Sequence, residues 1–223
     1  GMPWGGELMV VDGAEFRRVG HLSPLPLPGG DRAAREPWRM ACGVLHALGR
    51  GDEAIERFAA QPNVEQVLGM LVHGTRCPPT TSLGRWFDAA AALLGLCSHM
   101  DYEAQAAILL EQAAQAHIAR HGWPAALEQG WRIQSTAAGL SELDLLPLLG
   151  TLADLSDPAQ GAARFHATLV DALAAWASTQ ARAQGLASLQ IFMGHRAQWR
   201  HAELHGVQHI AGARKLPRPL RRA

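Results

Sequence analysis

The sequence predicts an α-rich fold of the α+β or α/β class. Apolar residues recur with helical spacing through most of the 223-residue chain, whereas short strand-like segments occur towards its two ends. Because 48% of the residues are hydrophobic and 18% are charged, the chain can bury a large core in one or two domains. Such a mixture is typical of helices packed on a small sheet.

The first thirty residues predict a β-hairpin and an irregular connector. Residues 4–11 are rich in apolar and β-branched residues, Asp12-Gly13 is a common hairpin turn, and residues 16–22 form the returning strand. Residues 23–30 contain three prolines, which exclude a helix and disfavour a central strand.

Helical patterns then begin at Asp31. Pro37 allows two interpretations, because it can either start a second helix or kink one long helix. A short helix is predicted over residues 53–60, and the next is predicted to start after Asn63 as its cap and to end at His73-Gly74.

Residues 82–96 form the most strongly helical segment, with four consecutive alanines. Ser82 is predicted to cap this helix through its hydroxyl group, and Asp88 is spaced to pair with Arg85. Spacing alone favours an amphipathic helix with a solvated Asp88 over a ligand-binding helix. The predicted apolar face consists of Trp86, Ala89, Ala90, Leu93 and Cys97.

The last predicted elements follow residue 102. They are a helix over 103–121, a short strand over 131–135, a helix over 145–153, the longest helix from Asp157 to about Gln184 with Gly185 as its cap, and a buried strand over 186–192.

Charge and cysteine content limit the partners and the cellular compartment that we expect. The formal net charge is zero, so neither nucleic acid nor membrane is predicted as a partner. Residues from His195 onward are basic, and the preceding body is mildly acidic. Three cysteines without a CxxC pair predict reduced thiols. Without an apolar run of 18 residues or a signal sequence, a cytoplasmic protein is expected.

The eleven histidines are mostly scattered. His201, His205 and His209 are the exception, because spacing of four would place them on one helical face, where they are weak candidates for zinc ligands. Since the surrounding tail is basic and poorly periodic, no metal is expected. His166 is predicted to be a core histidine with one hydrogen bond. The pairs Gly5-Gly6 and Gly29-Gly30 are only weak candidates for a phosphate cradle, because turns use such pairs constantly.

Seven motifs, in order, resemble the carbamoyltransferase region of the HypF family, which acts in [NiFe]-hydrogenase maturation and is itself similar to the synthases of threonylcarbamoyladenosine in tRNA. The resemblance covers roughly residues 3–190. The motifs are WGGE (4–7), RVGHL (18–22), LPGGD (27–31), REPWRM (35–40), GRWFDA (84–89), YEAQA (102–106) and FH (165–166).

The resemblance implies a partial actin-like (ASKHA) nucleotide-binding fold with an N-terminal β-hairpin and a large helical insert over residues 2–190, followed by a divergent basic, His-rich tail over 191–223. It implies transfer of a carbamoyl group from carbamoyl adenylate to a HypE-like partner, with ATP or carbamoyl adenylate as the bound nucleotide. Gly84 and Asp88 would contact the nucleotide, Asp88 through the ribose, and Glu103 is a weaker candidate.

The sequence also departs from the family. The acylphosphatase-like domain, the zinc segment, the adenylate-forming domain, the metal-binding histidines and the phosphate loop are all absent, and Ala104 stands where the family has glycine. Family-like sequence stops near residue 188, as a frameshift would cause. We therefore expect a fragment without independent activity, and a homo-oligomer because half of such a fold exposes apolar surface. An active carbamoyltransferase and a non-catalytic scaffold are the alternatives, so whether the chain is an enzyme stays open.

Overall fold

A computed structural model describes residues 3–12 and 14–186. Within them the chain is mixed α/β, as predicted, with one four-stranded sheet and one two-stranded ribbon whose strands have two residues each. The strands are β1 (Glu7–Asp12), β2 (Glu15–Leu22), β3 (Leu25–Pro26), β4 (Pro79–Thr80), β5 (Arg132–Ser135) and β6 (Ser141–Asp144). The sheet has the order β1-β2-β6-β5, and β3 pairs with β4.

The N-terminal hairpin is confirmed. Strands β1 and β2 are antiparallel, with Val11 opposite Phe16 and a bulge between Leu8 and Met9. The strand begins at Glu7 and not at residue 4, because the N–H groups of Gly5 and Gly6 turn towards the side chain of Glu7. This use of both N–H groups also makes the phosphate-cradle interpretation of Gly5-Gly6 wrong.

Strand β6 was not predicted, and it makes the sheet mixed. It pairs in parallel with β2, which places Gly20 opposite Ser141. A Cβ atom at Gly20 would lie 2.6 Å from the Ser141 carbonyl oxygen and 2.8 Å from the Trp176 ring. Glycine therefore lets β2, β6 and the C-terminal helix meet, and Trp176 Nε1 donates a hydrogen bond to Ser141 Oγ at 2.8 Å.

The helices predicted from Pro37 onward all form, with small shifts at their ends, but the helical pattern predicted from Asp31 does not form an α-helix before Pro37. The described helices are α1 (Pro37–Ala47), α2 (Gly51–Arg57), α3 (Val64–Val72), α4 (Leu83–Leu93), α5 (Gln105–His121), α6 (Leu146–Ala153) and α7 (Pro158–Ala183). Pro37 is the first residue of α1, so the interpretation of Pro37 as a helix start is correct. Beforehand the chain makes a single 3₁₀ turn over Gly30–Arg32.

Of the three predicted caps, Gly185 forms as expected, whereas Ser82 and Asn63 do not cap through their side chains. Asp157 caps α7 by accepting hydrogen bonds from the N–H groups of Ala159 and Gln160, and Gly185 follows with a φ of 65°. Ser82 and Asn63 occupy N-cap positions, but neither side chain makes a capping bond. At α4 the first N–H, that of Leu83, donates instead to the carbonyl of Gly5 at 3.2 Å.

Helices α1 and α4 form the centre of the core. Every residue of α4 from Ala89 to Leu93 is buried, as are Trp86 and Asp88. The expectation of a solvated Asp88 is therefore wrong. Its alanines allow the neighbouring helices α1, α5 and α6 to approach it closely.

Two predictions concern residues beyond this core. Of the strand predicted over 186–192, only Leu186 lies within the described residues, and it is in no strand. Across residues 3–12 and 14–186, no helix combines the length and apolar character needed to span a bilayer.

Candidate functional site

Gly84 and Asp88 lie one turn apart at the start of α4. Gly84 is exposed, and a Cβ atom there would meet only Ser82 Oγ, at 3.6 Å. Asp88 is buried, with 3% of its surface exposed. The first turn of α4 is thus open to a ligand, whereas the carboxyl group of the second turn is enclosed by protein.

Asp88 forms the predicted pair with Arg85, but the pair lacks ordinary hydrogen bonds. Arg85 Nη1 lies 2.8 Å from Asp88 Oδ2. Both atoms are buried, and neither has a partner in hydrogen-bonding geometry among the described residues. Burial raises the pKa of Asp88 to about 6, against the opposing effect of the Arg85 charge. A buried polar atom without a hydrogen bond is uncommon and marks a place where a ligand could supply one.

The loop that follows α4 lies close to Asp88. Burial raises the pKa of the Cys97 thiol, and the charges of Asp88 and Asp101 raise it further. The Cys97 thiol donates to the carbonyl of His99 at 3.2 Å, and burial raises the pKa of Cys42 to about 12. All three cysteines are free thiols, as predicted, and these shifts do not favour a thiolate nucleophile.

Glu103 lies just before α5, the helix that packs beside α4. Its side chain is exposed, and no hydrogen bond to it occurs among the described residues. The next residue, Ala104, has a left-handed backbone with a φ of 64°. The turn before α5 thus keeps a conformation that favours glycine although alanine occupies it.

Glu7 is a site residue that sequence reasoning missed. Its Oε2 accepts hydrogen bonds from the N–H groups of Gly5 (2.6 Å) and Gly6 (2.9 Å). Its Oε1 accepts from Arg18 Nη2 at 3.2 Å and from the Thr81 hydroxyl group. This buried carboxylate therefore joins the N-terminal segment, β2 and the residues immediately before α4.

The N-terminal segment lies directly against the start of α4. The Thr81 N–H donates to the Pro3 carbonyl at 3.2 Å. A Cβ atom at Gly6 would lie 2.3 Å from the Thr81 carbonyl oxygen and 2.5 Å from Leu22, so only glycine fits there. The WGGE motif gave a signal in the sequence, but its role depends on contacts with residues more than seventy positions away.

Residues 1–194 match the family described as "Carbamoyltransferase, Kae1-like Domain, second subdomain". The chain belongs to this family. Carbamoyltransferase HypF2 of Cupriavidus necator is 45% identical over 97% of this chain and 30% of its own length. A HypF homolog of the same organism is 42% identical, with 86% of this chain and 50% of the relative covered. HypF of Rhizobium leguminosarum is 43% identical, with 83% of this chain and 23% of the relative covered.

Solved HypF structures share the fold. HypF of T. kodakarensis superimposes with a TM-score of 0.66 at 26% identity, covering 83% of this chain and 25% of that one. A full-length HypF in a phosphate- and nucleotide-bound form has a TM-score of 0.64 at 24% identity, and the match covers 82% of this chain and 24% of that one. This HypF-family chain thus spans between about a quarter and a half of the length of these relatives.

The histidines give no metal site in the described part of this HypF-family chain. No three His, Cys, Asp or Glu residues come together there in a group that could hold a metal ion. His201, His205 and His209 lie outside the described residues. His166 is half-buried, its Nδ1 donates to the Ala162 carbonyl at 2.8 Å, and burial lowers its pKa. The prediction of a core histidine is confirmed.

Proposed function

We propose that this chain is the nucleotide-facing part of a HypF-type carbamoyltransferase of [NiFe]-hydrogenase maturation, with a partial actin-like fold. Its ligand would be ATP or carbamoyl adenylate, and its protein partner a HypE-like protein. The observation that carries this proposal is the buried Oδ2 atom of Asp88, which makes no hydrogen bond within the described residues. Family membership supports the class of reaction.

Each residue at the start of α4 has a distinct part in this proposal. A ribose hydroxyl group would donate to Asp88 through the 3% of its surface that stays exposed, while Arg85 keeps a positive charge 2.8 Å from Oδ2. The exposed glycine at position 84 would let the nucleoside lie against the backbone of the first turn. Glu103 would contact the nucleotide from the start of α5. Carbamoyl adenylate, when bound, would supply the activated carbamoyl group.

Glu7 would act as a positioning residue for this site. Its four hydrogen bonds fix the segment from Pro3 to Gly6 against Thr81. The carbonyl of Gly5 then holds the first N–H of α4. The turn that carries Gly84 is thereby oriented before any ligand binds.

Further parts of the proposal concern the rest of the chain. We place the family-like domain at residues 2–190 and the basic tail at 191–223, and we expect a cytoplasmic homo-oligomer. We propose that carbamoyl transfer also requires parts of HypF outside the region that this chain matches. Carbamoyl transfer to HypE by the purified chain alone would contradict this requirement.

Calorimetric titration with adenosine, which carries no phosphate, tests the nucleoside site. We expect saturable binding to the unaltered chain and a loss of about tenfold in affinity for Asp88→Asn, because a hydrogen bond to a charged group is lost. The matched control is Glu65→Gln, which neutralises an exposed acid of α3. Absence of binding would contradict the proposal and favour the scaffold alternative, and equal binding by Asp88→Asn would remove Asp88 from the site.

A further inference from the structure

A second candidate site lies away from the start of α4. A cleft of about 440 Å³ opens where the Gly29-Gly30 turn, α3 and the loop before β4 meet. Pockets that hold small molecules typically measure about 300–1,000 Å³. The β3–β4 ribbon separates the two sites along the chain, because Gly29 and Arg76 adjoin one end of it and the residues leading into α4 adjoin the other.

Arg39 provides the strongest evidence for a ligand in this cleft. Its side chain is 4% exposed and its Nε atom donates to Glu36 at 2.5 Å. Neither terminal nitrogen donates a hydrogen bond to any described residue, and Nη1 faces Gly29, where an added Cβ atom would lie 3.4 Å from it. A buried guanidinium group with free donors at a cleft wall is suited to an anion.

The charge around the cleft is positive. Arg32, Arg39 and Arg76 line it. Glu36 pairs with Arg32 and Arg39, and Arg76 has no ion pair among the described residues. Burial raises the pKa of Glu36, but the hydrogen bonds from Arg39 and Arg32 lower it, and the pKa lies below its usual value. Glu36 thus pairs with two of the three guanidinium groups, and the third has no carboxylate partner among the described residues.

Left-handed backbone conformations are concentrated at the same cleft. Four of its lining residues have positive φ: Gly29 (86°), Gly30 (63°), Asn63 (66°) and Arg76 (54°). Three non-glycine residues of the described chain have positive φ, and two of them are here. Strained backbone persists where the surrounding structure requires it, and it is often found at functional sites.

The two glycines shape this cleft and do not themselves cradle an anion. The Gly29 N–H donates to the Arg76 carbonyl at 2.8 Å, and the Gly30 N–H donates to the Leu27 carbonyl at 2.9 Å. The phosphate-cradle interpretation of Gly29-Gly30 is therefore wrong for their N–H groups. Their turn instead holds the backbone of Arg76 at the cleft that Arg39 also lines.

We propose that this cleft binds a phosphate monoester of a small molecule. Arg32, Arg39 and Arg76 hold the phosphoryl group, because guanidinium forks match phosphate oxygens in charge and geometry. Val67, Met70 and Pro78 form an apolar wall for the organic part. This inference goes beyond the proposed function and stands independently of the nucleoside site.

Phenyl phosphate and inorganic phosphate are the probes, titrated calorimetrically into the 223-residue chain at matched ionic strength, since salt screens charge pairs. We expect phenyl phosphate to bind more tightly, because its ring contacts the apolar wall. Arg76→Gln should weaken that binding about tenfold through loss of one charge-assisted contact. Arg76 is exposed, so this variant should keep its fold, which circular dichroism checks.

Arg35→Gln is the matched control, since Arg35 is exposed, lies outside the cleft and carries the same charge. It should bind phenyl phosphate as the unaltered chain does. Equal weakening by Arg35→Gln and Arg76→Gln, preference for inorganic phosphate, or equally strong binding of benzoate would each overturn the proposal. Adenosine binding unaffected by Arg76→Gln would separate this site from the one at α4.

Discussion

The buried carboxyl group of Asp88 makes stability depend on pH. Its pKa is about 6 in the folded chain against an ordinary value of 3.8, so the folded chain holds a proton between these values that the unfolded chain has lost. The free energy of unfolding contributed by this group therefore falls as pH rises through that window. Two pKa units correspond to at most about 3 kcal/mol.

Urea unfolding of the unaltered chain and of Asp88→Asn at pH 7 and pH 4 tests this dependence. We expect the unaltered chain to gain stability relative to the variant on going from pH 7 to pH 4, because asparagine has no proton to gain. A difference between the two proteins that is the same at both pH values would show that Asp88 titrates normally.

The backbone of Ala104 is strained, and a glycine at this position should relieve the strain. An L-residue in the left-handed region costs about 1–2 kcal/mol, and Ala104 has a φ of 64°. We expect Ala104→Gly to raise the free energy of unfolding by up to about 1 kcal/mol, after the entropy cost of glycine. Ala107→Gly, inside α5, should lower it by about 1 kcal/mol. Destabilisation by both changes in urea unfolding would exclude strain at Ala104.

At the scale of elements, the glycine at position 84 lowers the stability of α4 and at the same time leaves the surface of its first turn open. Gly84 is helical, and a Cβ atom there meets nothing closer than 3.6 Å. Gly84→Ala should therefore raise stability by about 1 kcal/mol, yet weaken adenosine binding, because the methyl group occupies the surface proposed for the nucleoside. Thermal unfolding and calorimetric titration measure the two effects.

Gly69→Ala in α3 is the control for this pair of effects. A Cβ atom at Gly69 meets nothing within 4 Å, so the variant should gain similar stability and bind adenosine normally. Stabilisation of Gly84→Ala without weaker binding would place the nucleoside elsewhere.

Helices were predictable from sequence because their signals are local. The periodic apolar faces of α1, α5 and α7 define those elements without reference to the rest of the chain. Strands β3, β4 and β6 have two to four residues each, too few for a periodic signal. They exist because distant segments pair with them, which sequence spacing does not report.

The candidate site was predictable only in part, for the same reason. The spacing of Arg85 and Asp88 predicted their pairing, but helices on several sides of α4 bury Asp88, and spacing within one helix does not reveal them. The missing cap at Ser82 has a similar cause, since the Gly5 carbonyl arrives from the N-terminal segment. Family resemblance, not spacing, singled out Gly84 and Asp88 for nucleotide binding, and that role stays a prediction.

At the scale of the whole molecule, the N-terminal hairpin exposes apolar side chains at the edge of the sheet. Val11 and Phe16 are cross-strand neighbours, 66% and 72% exposed. Edge strands of this kind favour pairing with another chain. We expect the unaltered chain to sediment as a dimer or larger species at micromolar concentration.

Phe16→Lys should shift this equilibrium towards the monomer, because it places a charge on the part of β2 that β6 does not cover, and a charge at an open sheet edge opposes association. The control is Val72→Lys, which removes an equally exposed apolar side chain, 67% exposed, at the end of α3. A monomeric unaltered chain would contradict self-association, and equal effects of the two changes would place the contact elsewhere.

The parallel pairing of β2 with β6 sets the order in which the chain can fold. Everything from Ser23 to Leu140 lies between these two strands, so their pairing closes a loop that contains helices α1 to α5. Closing so long a loop is slow when the intervening chain is disordered. Helix formation and packing around α1 and α4 would shorten the distance first. We therefore expect the β2–β6 pairing, which brings Gly20 against Ser141, to form after the local β1–β2 and β5–β6 pairs and after the helices.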